Sequence, residues 1–324
     1  MMKEKNYNDP WLPERWSATE ELLRKRSWPL ITIGVLNYNR LPFLMVTLEV
    51  LTKGVEYPNK EIILVDNGST DGSIEAVAKS FPEVRIISLK ENIGTCARNE
   101  FFKHAKGEYV FSYDDDSMPA TPATLLHLVD FLEDHKDIDV INMFCWQPIT
   151  EIVETAGFEH FYLRKQYDGY VGVYAVEGGM GFRRSALASI KGFDDRLFWG
   201  AEGADLSLQL YSANKVIFYH PGYATLHLKA FVNRSVSTNA RWVTRNYIYT
   251  ITKHFPKVLS PFLIVLYIAR RTVTALHQPV LRQAIAQGIR DGIMQCKEFY
   301  KERPKLSLQA SVMLKRWFLL LYRW

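Results

Sequence analysis

The sequence predicts an α/β protein: a mostly parallel sheet covered by helices on both faces, followed by a basic helical extension. Three observations carry that expectation. Short β-rich runs alternate with amphipathic stretches from Leu30 to Tyr113, the rhythm of successive βαβ units. Between Met143 and Val176 the rhythm gives way to aromatic and Gly-containing segments, which read as antiparallel strands and loops. Beyond Asn239 the pattern is helical, with breaks at Pro256, Pro261, Pro279 and Pro304.

The elements follow in order. LITIGVL, from Leu30 to Leu36, reads as a buried strand, and PFLMVTLEVLTK, from Pro42 to Lys53, as a helix with proline in its first turn, where a missing N–H costs nothing. EIILV is the second strand. Asp66, Asn67 and Gly68 then turn the chain, and Ser69, Thr70 and Asp71 offer N-caps for a helix ending near Phe81 and Pro82. VRIIS is a third strand, Thr95 to Ala105 a third helix and EYVFSY, from Glu108 to Tyr113, a fourth strand. Helical pattern returns at Arg183 to Ile190 and at Ala204 to Ala213, with a strand at Lys215 to Tyr219 after it.

Composition narrows the partners. At 324 residues, 48% hydrophobic and 23% charged, the chain has apolar material for one or two cores, which excludes disorder and collagen-like structure. The formal charge of +5 is unevenly divided: Lys229 to Trp324 holds 17 Lys and Arg against 3 Asp and Glu, so the preceding body is acidic. Such an end suits an anionic partner: a membrane surface, a lipid phosphate or nucleic acid. No recognised nucleic-acid motif accompanies the charge, so nucleic acid is not expected. Cys96, Cys145 and Cys296 form no CxxC pair, which argues against a disulfide framework or a thiolate zinc site and for a reducing compartment. MMKEKNYNDP lacks an apolar h-region, and no run reaches the ~20 apolar residues of a spanning helix, so neither a signal peptide nor a transmembrane helix is expected.

Ligands of open parallel sheets bind at the carboxyl ends of the strands. There the sequence places Asn37, Tyr38, Asn39 and Arg40, then Asp66, Asn67 and Gly68, then Asp114, Asp115 and Asp116. Ordinary turn chemistry accounts for Asp66 to Gly68 as well as binding does. Three adjacent carboxylates are different: either they form a solvated acidic loop, or a cation offsets their repulsion, and carboxylate oxygens suit Mg²⁺ or Mn²⁺. Mg²⁺ takes one or two protein carboxylates and completes its shell with phosphate oxygens, which implies a diphosphate-bearing substrate.

NYNR at 37–40, VDNGSTDGS at 65–73, ENIGTCARN at 91–99 and YDDDSMP at 113–119 resemble the successive motifs of family 2 glycosyltransferases. GGMGFRRSALASIKGFDDRLFWGAEGADLSLQL, from 178 to 210, resembles that family's acceptor-side half, so the likeness runs from about Leu30 to about Leu228 in the family's order. It implies the GT-A fold, the Rossmann-like mixed sheet of nucleotide-diphospho-sugar transferases, with a C-terminal helical extension. The division expected is a lead over 1–29, a catalytic domain over 30–237 (nucleotide-sugar half 30–119, acceptor half 120–237) and a basic helical region over 238–324. RNYIYTITKHFP and QGIRDGI are similar to segments of soluble bacterial members that build envelope polysaccharides.

Carried over residue by residue, the resemblance implies that Asn37, Tyr38, Asn39, Arg40, Asp66, Asn67 and Gly68 hold the nucleotide, with Asn67 standing where many members have a second Asp. Asn92, Gly94, Arg98 and Asn99 approach it, Arg98 suiting phosphate or base contact; a surface helix arginine is the alternative. Asp114 and Asp116 are the outer members of the DxD motif and the expected metal ligands, Asp115 lies between them on the nucleotide sugar, and the ion is Mn²⁺ or Mg²⁺. His227 occupies the position of a histidine that some GT-A enzymes use as a further ligand; a lone histidine in an apolar stretch is otherwise a core residue. Gly179, Met180, Trp199, Gly200 and Asp205 fall on the acceptor side. The family usually shows Glu-Asp before x-Asp-Leu; here Gly203 replaces that Asp and leaves Glu202 as the general base, unless it is simply a helix-start carboxylate.

The implied activity is inverting, metal-dependent transfer of a sugar from a UDP, dTDP or GDP donor to a hydroxyl of a glycan or lipid-linked acceptor, in the cytoplasm or at the inner face of the cell membrane. Two alternatives stay open: a catalytically silent sugar-nucleotide-binding partner, which Gly203 favours, and a nucleotidyltransferase, whose Gly-rich phosphate loop is missing where NYNR stands. VLSPFLIVLYIARR and SVMLKRWFLLLYRW combine apolar faces with basic residues, the composition either of a helix lying on an anionic membrane surface or of a homo-oligomer interface.

Overall fold

The computed structural model describes residues 20–147, 152–153, 162–172, 174, 179–228 and 236–302. After a short helix α1 (Glu20–Arg24), the chain alternates as expected: β1 (Ile31–Asn37), α2 (Leu41–Glu49, continued as a π-turn over Val50–Gly54), β2 (Lys60–Asp66), α3 (Ser73–Ser80), β3 (Arg85–Ser88), α4 (Arg98–His104, entered through a 3₁₀ turn at Gly94–Ala97) and β4 (Tyr109–Asp114). β5 (Ser117–Pro119), α5 (Thr124–Asp134), β6 (Val140–Gln147), β7 (Ile152–Val153), β8 (Tyr162–Gln166), β9 (Gly169–Gly172), β10 (Met180–Arg183), α6 (Arg184–Leu187), α7 (Glu202–Ser212) and β11 (Ile217–His227) complete the α/β body.

The sheet runs β3-β2-β1-β4-β10-β6-β11-β9-β8, with β5 paired to β11 and β7 to β6. Its first four strands are parallel, and β10 enters antiparallel between β4 and β6, making the sheet mixed. Register sets the geometry of the site. Asn37 pairs with Asp66 and Leu36 with Asp114, so the polar ends of three strands open along one edge. His227, at the end of β11, pairs with Ser117, one residue beyond Asp116.

Apolar burial fixes both faces. Leu44, Leu48 and Leu51 from α2 and its π-turn, Val77 from α3, and Leu125, Leu128 and Val129 from α5 pack with Ile31, Ile33, Leu64 and Phe111 of the strands. On the other face Phe101 of α4 meets Ile63, Val65 and Val110. All these side chains are fully buried, each worth about 1.5–3 kcal/mol by removal from water.

Three helices follow: α8 (Val236–His254), α9 (Ser260–His277) and α10 (Arg282–Gln295). Pro261 lies in the first turn of α9, while Pro256 and Pro279 fall in the breaks. Pro304 and the segment 307–324 lie outside the described residues. The helical block shares a core with the body: Ala204 and Leu208 of α7 pack with Tyr247, Ile248, Ile251, Leu263 and Tyr267.

Candidate active site

The first wall of the site is a lattice of short polar contacts between the ends of β1 and β2. Buried Asn37 donates from Nδ2 to Asp66 Oδ1 (2.7 Å) and Ser69 Oγ (3.1 Å), and Asp66 Oδ2 accepts from the Ser69 N–H at 2.9 Å. Asn39 takes the left-handed conformation (φ 52°), which a short amide tolerates. Its N–H donates to Ser69 Oγ and its Oδ1 accepts from the Thr70 N–H. Tyr38 between them projects into solvent, 42% exposed.

Asn67, only 2% exposed, uses both ends of its amide: Nδ2 donates to Asn92 Oδ1 (2.9 Å) and the Gly94 carbonyl (3.0 Å), and Oδ1 accepts from the Ile93 N–H (2.9 Å). An aspartate could make the last bond but not the first two. Gly68 (φ 80°) leaves no room for a side chain, since a Cβ would lie 2.8 Å from the Glu91 backbone.

The three carboxylates do not act as one cluster. Asp114 is held by the Arg98 guanidinium, which also donates to Ser112 Oγ (3.1 Å) and the Tyr113 carbonyl (3.2 Å) and is itself 2% exposed. Arg98 is therefore no surface arginine; it fixes the end of β4. Asp115 turns inward to Arg40 Nη1 (2.9 Å) and accepts from the Tyr38 N–H (3.2 Å). Burial pushes its carboxyl up to about 7, aided by Asp116 and Asp114 and opposed by Arg40. Asp116, 1% exposed, bonds Arg40 Nη1 through Oδ2 at 2.9 Å and turns Oδ1 toward His227 Nε2, 3.3 Å away.

A divalent ion fits this arrangement. Asp116 Oδ1 and His227 Nε2 approach one another from separate strands, and the His227 side chain keeps 24% of its surface open. Among the described residues no three His, Cys, Asp or Glu side chains converge into a metal cage. The pair brought together is Asp116 and His227, whereas Asp114 is engaged by Arg98.

The opposite wall is the loop before α7. Phe198, Gly200 and Ala201 all have positive φ (57°, 87° and 68°), a costly conformation for the two residues with a side chain. What holds it comes from two sides. The Thr95 N–H donates to the Phe198 carbonyl at 2.8 Å, and a Cβ on Gly94 would lie 2.1 Å from that oxygen. From α8, Asn246 Nδ2 donates to the carbonyls of Leu197 (2.7 Å), Trp199 (2.9 Å) and Gly200 (2.7 Å), and Arg245 Nη2 reaches those of Arg196 (3.0 Å) and Leu197 (3.2 Å). The loop delivers Glu202, 5% exposed, to the first turn of α7, where the helix dipole favours a carboxylate.

Asp205, expected on the acceptor side, is fully engaged elsewhere. It is 1% exposed and accepts from His254 Nε2 (2.7 Å), Lys253 Nζ (2.9 Å) and Gln209 Nε2 (2.7 Å). Burial would raise its pKa, but His254 and Lys253 hold it below the usual carboxylate range. Lys253 also binds Asp194 at 2.7 Å, so the ion pairs tie α7 and the 194–196 turn to α8.

Two other acceptor-side expectations change. Met180 is wholly buried in the core as a residue of β10, and Gly179 packs against Thr225, where a Cβ would lie 2.6 Å from Oγ1. Trp199 and Gly200 do belong to the loop beside Glu202. Asn99 bridges to the backbone of Phe193 in both directions (2.8 and 2.9 Å) and so braces the chain leading to that loop. Sequence reasoning missed Ser69 and the clamp residues Arg245, Asn246, Lys253 and His254. The clamp's signal was present: the RN and KH pairs of RNYIYTITKHFP lie seven to eight residues apart, two turns along one helix face.

Comparison with known proteins bears on family and fold. Residues 32–191, from the second residue of β1 to the chain beyond α6, match the model described as "Glycosyl transferase family 2". The uncharacterized glycosyltransferase YwdF of Bacillus subtilis is 29% identical over 119 residues, 35% of this chain and 43% of that one. The chain spans less than half the length of the first curated relatives it matches. Among solved structures, Staphylococcus aureus TarS 1-349 in complex with UDP-GlcNAc superimposes with a TM-score of 0.54 at 18% identity, covering 90% of each chain. The mannosyltransferase PcManGT of Pyrobaculum calidifontis, with GDP-Man and Mn²⁺, gives 0.54 at 19% identity over 96% of this chain and 85% of that one. Over residues 32–191, just under half its length, the chain thus matches glycosyl transferase family 2, on a sheet of GT-A fold.

Proposed function

We propose that the protein is an inverting, metal-dependent glycosyltransferase that moves a sugar from a nucleotide-diphosphate donor to a hydroxyl of a glycan or lipid-linked acceptor. The observation that carries this is the Gly94–Thr95 backbone: the Gly94 carbonyl is gripped by Asn67 of the nucleotide wall and the Thr95 N–H grips Phe198 of the loop that ends in Glu202. Donor wall and base loop thus share one rigid hinge. Two relatives of the same fold, crystallised with UDP-GlcNAc and with GDP-Man and Mn²⁺, support a UDP, dTDP or GDP sugar as donor.

In this mechanism Tyr38 lies against the base, and Asn37, Asn39, Asp66 and Asn67 shape the nucleoside wall. Asp116 and His227, with Asp114 as the further expected carboxylate, would hold Mn²⁺ or Mg²⁺, which would supply a positive charge for the leaving diphosphate. Glu202 takes the proton of the acceptor hydroxyl. That oxygen attacks the anomeric carbon from the face opposite the diphosphate, the carbon–oxygen bond to phosphate breaks, and the configuration inverts. Asp205, Lys253 and Asn246 position Glu202 without touching substrate.

The deciding experiment incubates the protein with UDP, dTDP and GDP sugars and Mn²⁺ or Mg²⁺ and scores nucleotide release. Release that EDTA abolishes supports the proposal. Tight nucleotide binding without turnover, on any donor or acceptor, would instead identify the silent binding partner that Gly203 favours.

A further inference from the structure

We propose that the outward face of α9 is a docking surface for an anionic lipid leaflet. The buried residues of α9, Ser260, Leu263, Tyr267 and Arg271, follow one stripe of the helix. The opposite stripe is apolar and open to water: Phe262 is 61% exposed, Val265 63%, Val273 52% and Leu276 63%, with Val258 (88%) and Val280 (76%) continuing the row at either end. Within α9 these residues are three, eight and three positions apart, which at about 100° per residue keeps their side chains on one face over a helix of about 27 Å. So long an apolar row in solvent marks a contact surface.

Charge identifies the partner. Between Asp205 and Asp291 lie 85 residues with eleven Lys and Arg and no Asp or Glu. Lys257 and Arg282, just outside the two ends of α9, are exposed. An apolar stripe within an acid-free, basic stretch matches the interface of a leaflet carrying negative headgroups, where apolar side chains enter the acyl boundary and basic ones stay with phosphate. Among the described residues no helix is long and apolar enough to cross a membrane, so α9 lies along the surface.

The location gives the contact a use. On its inner side α9 touches the turn of α8 that holds the base loop: Tyr267 OH donates to the Val243 carbonyl (3.4 Å) and Arg271 Nε to Thr244 Oγ1 (3.0 Å). Val243 in turn packs on Gly200, and Asn246 bonds the loop. One helix spacing, about 8–10 Å, therefore separates the docking helix from the helix that sets the acceptor side, which suits an acceptor held in the lipid surface.

The test uses the full chain, without donor or acceptor, so it is read independently of glycosyl transfer. Co-sedimentation is compared for vesicles of phosphatidylcholine alone and of phosphatidylcholine mixed with phosphatidylglycerol. The native protein is expected to bind the mixed vesicles and to be released by salt. Lys257→Gln and Arg282→Gln should each weaken partitioning about fivefold, and the double variant Phe262→Ser/Leu276→Ser at least about tenfold, with the double variant's melting temperature unchanged because its two side chains face outward. Equal binding to neutral vesicles, or undiminished binding of the double variant, would overturn the proposal. So would a double variant that keeps its lipid binding but shifts from dimer to monomer by light scattering, which would assign the stripe to a second copy of the chain.

Discussion

Replacing Asn246 isolates how much of catalysis rests on a residue that touches no substrate. Asn246 is fully buried and its amide nitrogen serves the carbonyls of Leu197, Trp199 and Gly200 at 2.7–2.9 Å. Leucine keeps the branched outline of asparagine and is the larger of the two, so Asn246→Leu removes the donors without opening a cavity. Three hydrogen bonds shared between two N–H groups of about 1 kcal/mol each are lost, and the carbonyls left without them bring the cost to about 2–4 kcal/mol. The loop meanwhile carries Phe198 and Ala201 at positive φ, a strain of about 1–2 kcal/mol each that relaxation would release. The two magnitudes are comparable, so the variant loop should leave its native conformation. At about 1.4 kcal/mol per decade, kcat should fall at least about thirtyfold. Donor affinity should change less than about threefold, since the bonds among Asn37, Asp66, Asn67 and Ser69 are untouched. Steady-state release assays with nucleotide titration by calorimetry separate the two quantities. A kcat within about twofold of native, or a loss of donor affinity equal to the loss of kcat, would refute the assignment of Asn246 as a positioning residue.

Glu202→Gln should lower kcat by ~10²-fold or more with donor affinity kept, because the proton acceptor is lost while the nucleotide wall is intact; an unchanged kcat would exclude Glu202 as base. Asp116→Ala should abolish turnover and the Mn²⁺-dependent part of nucleotide affinity, and His227→Ala should weaken both. Calorimetry with and without EDTA reads this, and metal-independent binding in the native protein would contradict it. Asp205→Asn tests the buried ion pairs. Because the Asp205 pKa is depressed in the folded state, its contribution to stability is complete above the ordinary carboxylate pKa of about 4 and is lost as pH falls through the lowered value. The variant should lose about 3–5 kcal/mol at neutral pH, since Lys253 keeps only Asp194, and its urea midpoint should fall less steeply below pH 4. Parallel native and variant pH profiles would refute the linkage.

The parallel half of the fold was open to sequence reasoning because each strand is a continuous apolar run and each helix is amphipathic: β1, β2 and β4 fall within one or two residues of the expected bounds. β10 escaped it. Four residues, MGFR, are too short for periodicity, and Gly181 carries no strand signal, although in the sheet a Cβ there would lie 2.5 Å from the Phe111 ring. Strand order across β4, β10 and β6 is set by contacts between distant segments, which no local pattern records. The same limit explains the site. The carboxyl-edge residues were recognisable as a group, and the motif resemblance put names to them. That Asp115 faces Arg40 while Asp116 faces His227, or that Asp205 pairs with Lys253 and His254, depends on which way neighbouring side chains turn once the body is packed.

The clamp from α8 also has a consequence for how the protein is made. The residues of the nucleotide wall are all synthesised before position 100, although the core beneath them also draws on Leu125, Leu128, Ile141 and Phe218. The loop at 197–201 cannot take its native conformation until residues 245–254 have been translated and have cleared the exit tunnel. During that interval a nascent chain would have no working acceptor side, and a chain ended at any codon before 246 would lack the clamp on the Glu202 loop altogether.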